Sequence, residues 1–496
     1  MGPITRPSGW TWPTTALGAG ILVALLTVDS GTAPVVAPLT ATLASALLFI
    51  LLLARRRRGD LVWFEIGLVY VGVVTLFAVY PLVGFLLLGQ TYTPFNDSRL
   101  QQISPDAALM GRIGWLYVAH LMAFVVCYLA GRGRLPLDVP RPRLPSVSVG
   151  AAALVFYLAI SGFSIVLGWF YDTSAESYIE SYLVSRRLPL FVAQVLGHLN
   201  GAQYPLSIAL LALLFSRYPR SRSILIAWVV VTGALTAMRL GNRTEFVLFA
   251  FAVAVTYHCL VRRISVRLTS LGAIAGLAGF IAFGIIRSGI VGAGGQPWYA
   301  SPFSTSSEFE VLFANAVHLD RTLASGIDLR LPAAFYLGDL TALVPQQFAP
   351  YTKFDPAAWY VNTFFPEYAA AGGGLAFGLI AESVLTGGWI SAMGRGAILG
   401  LLFAAVHRLY VRHAARFWMF VFYVWLTTLS YQAFRASTLY LLVPFVYRFL
   451  VAMILVKITA ALLDLAIRAP RSIRTVRDSS DPGATGELLQ ARGPGT

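Results

Sequence analysis

Apolar residues fall along this chain in runs of roughly 18 to 25, each long enough to cross a hydrocarbon core of about 30 Å as an α-helix. In lipid, every backbone N–H and C=O has to be satisfied within its own segment, so the runs predict helices. The short alternating segments of a β-barrel are absent. The pattern places helices near 14–29, 33–54, 61–88, 112–130, 148–169, 189–215, 223–239, 244–261, 268–286, 385–407, 417–434 and 438–462. The expected fold is therefore all-α, a polytopic membrane helix bundle of about twelve transmembrane helices with one large external loop between the ninth and tenth.

The polar interruptions between the runs carry the orientation. Arg55 to Arg58 follow the second run, Arg132, Arg134, Arg141 and Arg143 the fourth, and Arg217, Arg220 and Arg222 the sixth. Arg262, Arg263 and Arg267 follow the eighth, and Arg408, Arg412 and Arg416 the tenth. Every second loop is basic, as a single cytoplasmic face requires, which predicts both termini on the cytoplasmic side of the inner membrane. The apolar stretch Thr15–Val28 has no small-residue cleavage site after it and reads as a first membrane helix, not a removed signal. Of the external connections, 89–111, 170–188 and 239–243 are short or moderate, whereas 287–384 is long and mixes Pro, Gly, aromatic and acidic residues. A segment of about 100 residues is expected to fold as short helices capping the bundle. Residues 1–470 thus form the bundle, and 471–496, rich in Arg, Ser, Gly and Pro, read as a disordered cytoplasmic tail. No internal repeat is evident.

Composition excludes the soluble alternatives. Hydrophobic residues make up 57% of the 496 and charged residues 12%, too little charge to cover a soluble surface of this size. The net charge of +15 sits mostly in the short basic loops, so it reports membrane orientation, and no nucleic-acid partner is expected. Cys127 and Cys259 both fall towards cytoplasmic helix ends, where neither a disulfide nor a thiolate metal site is expected.

Candidate chemistry begins with arginines on the side the orientation rule disfavours. Arg239 and Arg243 bracket the outer turn Met-Arg-Leu-Gly-Asn-Arg, Arg287 ends the ninth helix, Arg435 ends the eleventh, and Arg186, Arg187 and Arg321 lie in external loops. Guanidinium groups stay charged and bind phosphate oxygens two at a time, which suits an anionic, membrane-anchored substrate; each is also open to a plain role as a solvated or snorkelling charge. The sixth helix is polar in its outer half. Gln194 and His198 share a face there at i, i+4 spacing, fit either to line a sugar-binding cavity or to hydrogen-bond between helices. His120, alone in its helix, is expected to pack. Glu382 sits at the outer mouth of the tenth helix, placed either to act as a general base or to pair with Arg395 or Arg435. Arg395 and Arg448 fall within predicted membrane helices, where ions are rare unless paired or lining a cavity. His318 is a further candidate for proton transfer. No phosphate-binding glycine loop or metal-ligand spacing occurs, so no metal site and no cofactor are expected.

Three features together resemble a known family: Gly241-x-Arg243 at an outer turn, a long external loop before the third-last helix, and Gly378-Leu-Ile-Ala-Glu382 leading into a Gly-rich helix. They look like the Wzy-type oligosaccharide repeat-unit polymerases and the related O-antigen ligases, over roughly residues 220–450. The resemblance implies metal-independent glycosyl transfer outside the cytoplasmic membrane, with a polyprenyl-pyrophosphate-linked oligosaccharide as donor and a chain-length regulator protein as a further partner. It implies pyrophosphate binding by Arg239, Arg243, Arg287 and Arg435, and loss of the acceptor proton to Glu382 or His318. Two other classes stay open: a prenyl-phosphate-sugar glycosyltransferase, for which Asp29, Asp97 and Asp106 are available, and a lipid-linked glycan transporter or flippase without catalysis.

Overall fold

The computed structural model describes residues 31–56, 64–89, 106–133, 142–170, 189–217, 243–265, 267–276, 278–279, 308–327, 354–370, 374–438 and 440–479, with isolated positions besides. Its elements, in chain order, are helices α1 (Ala33–Arg56), α2 (Ile66–Leu88), α3 (Ala107–Arg132), α4 (Val147–Phe170), α5 (Leu190–Arg217) and α6 (Arg243–Leu260). They continue with α7 (Glu308–Ala324), α8 (Pro356–Phe364), α9 (Pro366–Ala370), α10 (Leu379–Thr386), α11 (Gly388–His413), α12 (Phe417–Leu429), α13 (Gln432–Arg435) and α14 (Leu442–Pro444). A π-helical turn, Phe445–Leu450, then leads into α15 (Val451–Ser479).

Among the described residues, six helices are long and apolar enough to cross a membrane: Ala33–Arg55, Ile66–Leu88, Ala107–Arg132, Gly197–Ser216, Gly388–His413 and Leu442–Ala466. Three shorter apolar helices, Val147–Phe163, Leu248–Leu260 and Phe417–Leu429, coincide with three further predicted spans. The helix expected at 14–29 is described only at Gly18 and Ile21, that at 223–239 lies outside the described residues, and that at 268–286 is described only in its first part. The faces turned away from the core stay apolar, as at Leu154, Val155 and Leu158 of α4 or Ile390, Met393 and Ile398 of α11. A bundle whose solvent is lipid has that surface, because its exterior need not be polar. The chain is a membrane-embedded, multi-pass helical bundle.

Contacts between helices fix their directions. Gly111 and Gly114 of α3 lie against Pro34 and Pro38 of α1, and further along Ser45 meets Met122, so α1 and α3 run parallel. Gly396 rests on the backbone at His120, Gly400 on the backbone at Phe124, and Gly131 on Ala404, so α11 also runs parallel to α3. Helix α2 is antiparallel to them, pairing Gly67 with Tyr128 and Leu82 with Gly114. The basic ends of α1, α3 and α11 therefore lie at one end of the bundle, the arrangement that alternating basic loops demand. The α3–α11 contact is close because two glycines face carbonyl oxygens: a β-carbon at Gly396 or Gly400 would overlap the α3 backbone.

At that basic end, one ion pair is buried between the helices. Glu65, just before α2, has no exposed surface and accepts from Arg132 at 2.6 Å and from the Tyr128 hydroxyl at 2.8 Å. His407 of α11 stands 3.7 Å from its other oxygen, and the His407 Nδ1 is 2.7 Å from the Tyr423 hydroxyl of α12. Tyr423 in turn accepts from the Ile66 N–H that opens α2. One carboxylate thus joins α2 to α3 and, through His407, to α11 and α12.

The C-terminal spans depart from their expected bounds. The span expected at 385–407 is α11, and α10 precedes it as a separate helix because Gly387 and Gly388 both take positive φ (132° and 58°) and turn the chain between them. The span expected at 417–434 stops at Leu429 and resumes as the short α13. The last span begins at Leu442, widens into the π turn, and continues to Ser479, beyond the expected start of the tail at 471. Within the long 287–384 segment, α7 is no surface cap: Leu312, Phe313, Ala316, Val317 and Leu319 enter the main core, and Glu310 and Asn315 are buried with them. Asn315 donates to the Ala376 carbonyl at 2.6 Å, and Arg112 of α3 pairs with Asp320.

Removing one member of a buried ion pair strands the other, at a cost of about 3–5 kcal/mol. Arg132→Leu is therefore expected to lower the unfolding temperature in detergent sharply, whereas Glu65→Gln with Arg132→Leu, which strands no charge, should recover most of the loss. Equal losses in the single and double variants would show that the pair does not organise this end.

Candidate functional site

The predicted acid Glu382 lies at the opposite end of the bundle from the basic helix ends. It sits in α10, an eight-residue helix entered through Gly378 (φ +90°), whose α-carbon packs on Leu312 of α7. The Gly387–Gly388 turn folds α10 back over the first turns of α11. There Glu382 Oε2 meets Arg395 Nη1 at 2.8 Å, with side chains only 8% and 17% exposed. The structure thus pairs Glu382 with Arg395.

Hydroxyl groups surround that pair. Arg395 Nη1 also donates to Thr438 Oγ1 at 2.8 Å, its Nε donates to Ser391 Oγ at 3.1 Å, and Ser391 lies 2.7 Å from Thr386 Oγ1. These contacts use Nε and Nη1, and among the described residues no group takes the Nη2 hydrogens. A guanidinium held through Nε and Nη1 keeps its Nη2 donors for an incoming oxyanion. Arg435 sits on α13, which packs against α10, so the structure brings these two predicted residues into one region.

The other candidates go elsewhere. His318, on α7, turns away towards α8: its Nδ1 lies 2.7 Å from the Tyr360 hydroxyl, and its ring is bracketed by Phe364 and Phe365. Burial, reinforced by the Arg321 charge, lowers its pKa from 6.5 to about 4, so it is neutral at physiological pH. A ring enclosed by aromatics and already bonded to Tyr360 joins α7 to α8, and it does not meet Glu382. His198 of α5 stacks on Tyr447 with centroids 4.9 Å apart, away from the α10–α11 turn. Arg239 and Arg287 lie outside the described residues. Arg243 opens α6 and Gln194 lies in α5, but the side chains of both are outside the description. His120 packs, as expected: it donates from Nδ1 to the Ala392 carbonyl at 3.2 Å and accepts from the Tyr70 hydroxyl at 2.9 Å.

Sequence reasoning missed Thr438 and Ser391 as partners of Arg395, and the whole Glu65–Arg132–His407 cluster. A signal existed for Glu65 in the form of a lone carboxylate at the edge of a strongly apolar run. No group of three His, Cys, Asp or Glu side chains comes together among the described residues. Comparison with family models, with curated proteins and with solved structures finds no match to the chain.

The depressed His318 pKa has a consequence for the α7–α8 contact. An unfolded or opened chain takes up a proton near pH 6.5, and the packed ring only near 4. Acid therefore favours the open form: the contact is at full strength above pH 6.5 and weakens as the pH falls towards 4. Amide exchange across 308–324 should accelerate over that interval beyond its intrinsic pH dependence, and His318→Gln should abolish the extra acceleration. An unchanged profile in the variant would assign the effect to another group.

Proposed function

We propose that this protein is a membrane glycosyltransferase that polymerises or transfers polyprenyl-pyrophosphate-linked oligosaccharide units on the outer face of the cytoplasmic membrane. The observation carrying this reading is the Glu382–Arg395 pair, ringed by Thr386, Ser391 and Thr438 and neighboured by the helix of Arg435. It combines a proton acceptor, hydroxyl partners for a sugar and guanidinium donors for an anionic leaving group. It lies at the end of the bundle away from the basic helix termini, which in an inner-membrane protein with cytoplasmic termini is the outside.

In this reading the acceptor hydroxyl attacks the anomeric carbon of the donor. Its proton passes to Glu382, the new glycosidic C–O bond forms, and the bond to the pyrophosphate breaks with its electron pair leaving on the phosphate oxygen. Pyrophosphate is a good leaving group, so the protein's contribution is to position two lipids and to stabilise the departing charge. Arg395, held by Thr438 and Ser391, and Arg435 supply that stabilisation, with Arg239, Arg243 and Arg287 as further candidates for the same anion. His318 is not assigned a role, because its ring is committed to Tyr360. A chain-length regulator is the protein partner this reading carries.

Glu382→Gln is expected to reduce glycan elongation by about 100-fold or more, the range for loss of a general base, while membrane level and insertion stay unchanged. The Glu382→Gln, Arg395→Gln double variant separates catalysis from folding because it leaves neither charge stranded. Elongation at the wild-type rate by a well-inserted double variant would defeat the proposal. Translocation of a labelled lipid-linked glycan with no new glycosidic bond would replace it by transport.

A further inference from the structure

Arg448 carries the second unresolved charge in the apolar part of the bundle. It lies in the span Leu442–Ala466, inside the π-helical turn Phe445–Leu450. Such turns are rare, occur mostly as single turns within α-helices, and are frequent at functional sites. Here the turn packs against α5. The Arg448 Cδ, Nε and Cζ atoms lie over Gly201, so close that a β-carbon on Gly201 would overlap them. The preceding residue, Tyr447, stacks its ring on His198, one turn before Gly201, and donates its hydroxyl to the Leu343 carbonyl. The π turn and the glycine together bring His198, Tyr447 and Arg448 to one place.

The arginines elsewhere in the bundle show what is missing. Arg132 has Glu65, Arg395 has Glu382, and Arg112 has Asp320. Among the described residues, Arg448 meets no carboxylate and its buried Nε has no hydrogen-bond partner. An arginine does not shed its proton, so within an apolar span its charge needs a counter-ion. The following turns of the same helix expose Val451, Ile454, Leu455, Ile458 and Leu462, an apolar strip on which a hydrocarbon chain can lie.

We propose that Arg448, with His198 held beside it by the Tyr447 ring, forms a binding site for the phosphate of a membrane lipid, whose chains run along the exposed strip of α15. The shared chemistry is a phosphate ester on a hydrocarbon tail, supplied either by a polyprenyl phosphate or by an anionic phospholipid. The site is distinct from the Glu382–Arg395 pair and does not rest on the glycosyl-transfer reading. It is tested without any sugar substrate, so either reading can fail alone.

The full-length protein in phosphatidylcholine nanodiscs is titrated with a polyprenyl monophosphate and, separately, with phosphatidylglycerol, and bound lipid is counted by native mass spectrometry. The wild type is expected to retain one such lipid saturably. Arg448→Gln should weaken that binding about tenfold or more, the equivalent of one charge-assisted hydrogen bond, and Arg448→Lys less. Gly201→Ala keeps every charge but fills the seat of the guanidinium, and should weaken binding comparably. Should Arg448→Gln fail to fold, Arg448→Lys and Gly201→Ala carry the same comparison. Stronger retention of the polyprenyl phosphate assigns a carrier-lipid site, and equal retention a phospholipid site, both in support. Unchanged binding of both lipids in the folded variants, or Arg448-dependent binding of inorganic phosphate with neither lipid retained, overturns the proposal.

Discussion

A charge inside a lipid-facing bundle has to be met by another helix, and in this protein the Glu65 carboxylate is where that requirement is most concentrated. It is fully buried, it takes hydrogen bonds from Arg132 and Tyr128 of α3, and it faces His407 of α11. His407 is bonded to Tyr423 of α12, which accepts the first N–H of α2. Helix packing in membranes has no hydrophobic force of its own to select a register, because lipid tails are as apolar as leucine. Fixed polar contacts and close glycine contacts supply the register instead. The Glu65 cluster sets one end of α2, α3, α11 and α12, and Gly396 and Gly400 bring α3 and α11 together along their length.

The opposite end is built by similar means but left more open. Two consecutive glycines with positive φ fold α10 onto α11, and the resulting Glu382–Arg395 pair gathers three hydroxyl groups. The two ends differ in accessibility. Arg132 is enclosed, whereas Arg395 is partly exposed and, among the described residues, keeps one nitrogen without a partner. That contrast separates a charge used for cohesion from one available to a ligand. Arg448 is an extreme of the second kind, since no acidic residue accompanies it among the described residues.

Hydropathy made the spans around α1 to α5 readable to within a few residues, and the arginine alternation anticipated that α1, α3 and α11 would share a direction. These properties follow from solvent and from local composition. The misread parts depend on tertiary context. Helix α7 carries Glu310, Asn315 and Asp320, too polar to be recognised as a core element, and it is buried only because α2, α3 and α10 surround it. The break at Gly387–Gly388 is a matter of φ, which an apolar window does not register. The pairing of Glu382 with Arg395 depends on the fold-back of α10, which sequence spacing does not register. Glu65 and Arg132 resemble ordinary flanking charges in sequence, and only the approach of α3 to α2 reveals a pair.

The close fit of α11 against α3 also sets an order of events during synthesis. His120 bonds to Ala392, 272 residues away along the chain, and Tyr423 lies 357 residues from the Ile66 N–H it accepts. The first helices therefore enter the membrane long before the ribosome delivers the helices that complete their core, and loop closure over such separations is slow. Until α11 arrives with Gly396 and Gly400, the α3 backbone at His120 and Phe124 that they cover, and the open side of Glu65, are presented to lipid or to other proteins. Helix α7, too polar to stay in lipid alone, finds its seat only once α10 has folded beside it. The architecture is thus a late-closing one, whose vulnerable period is the translation of its own middle third.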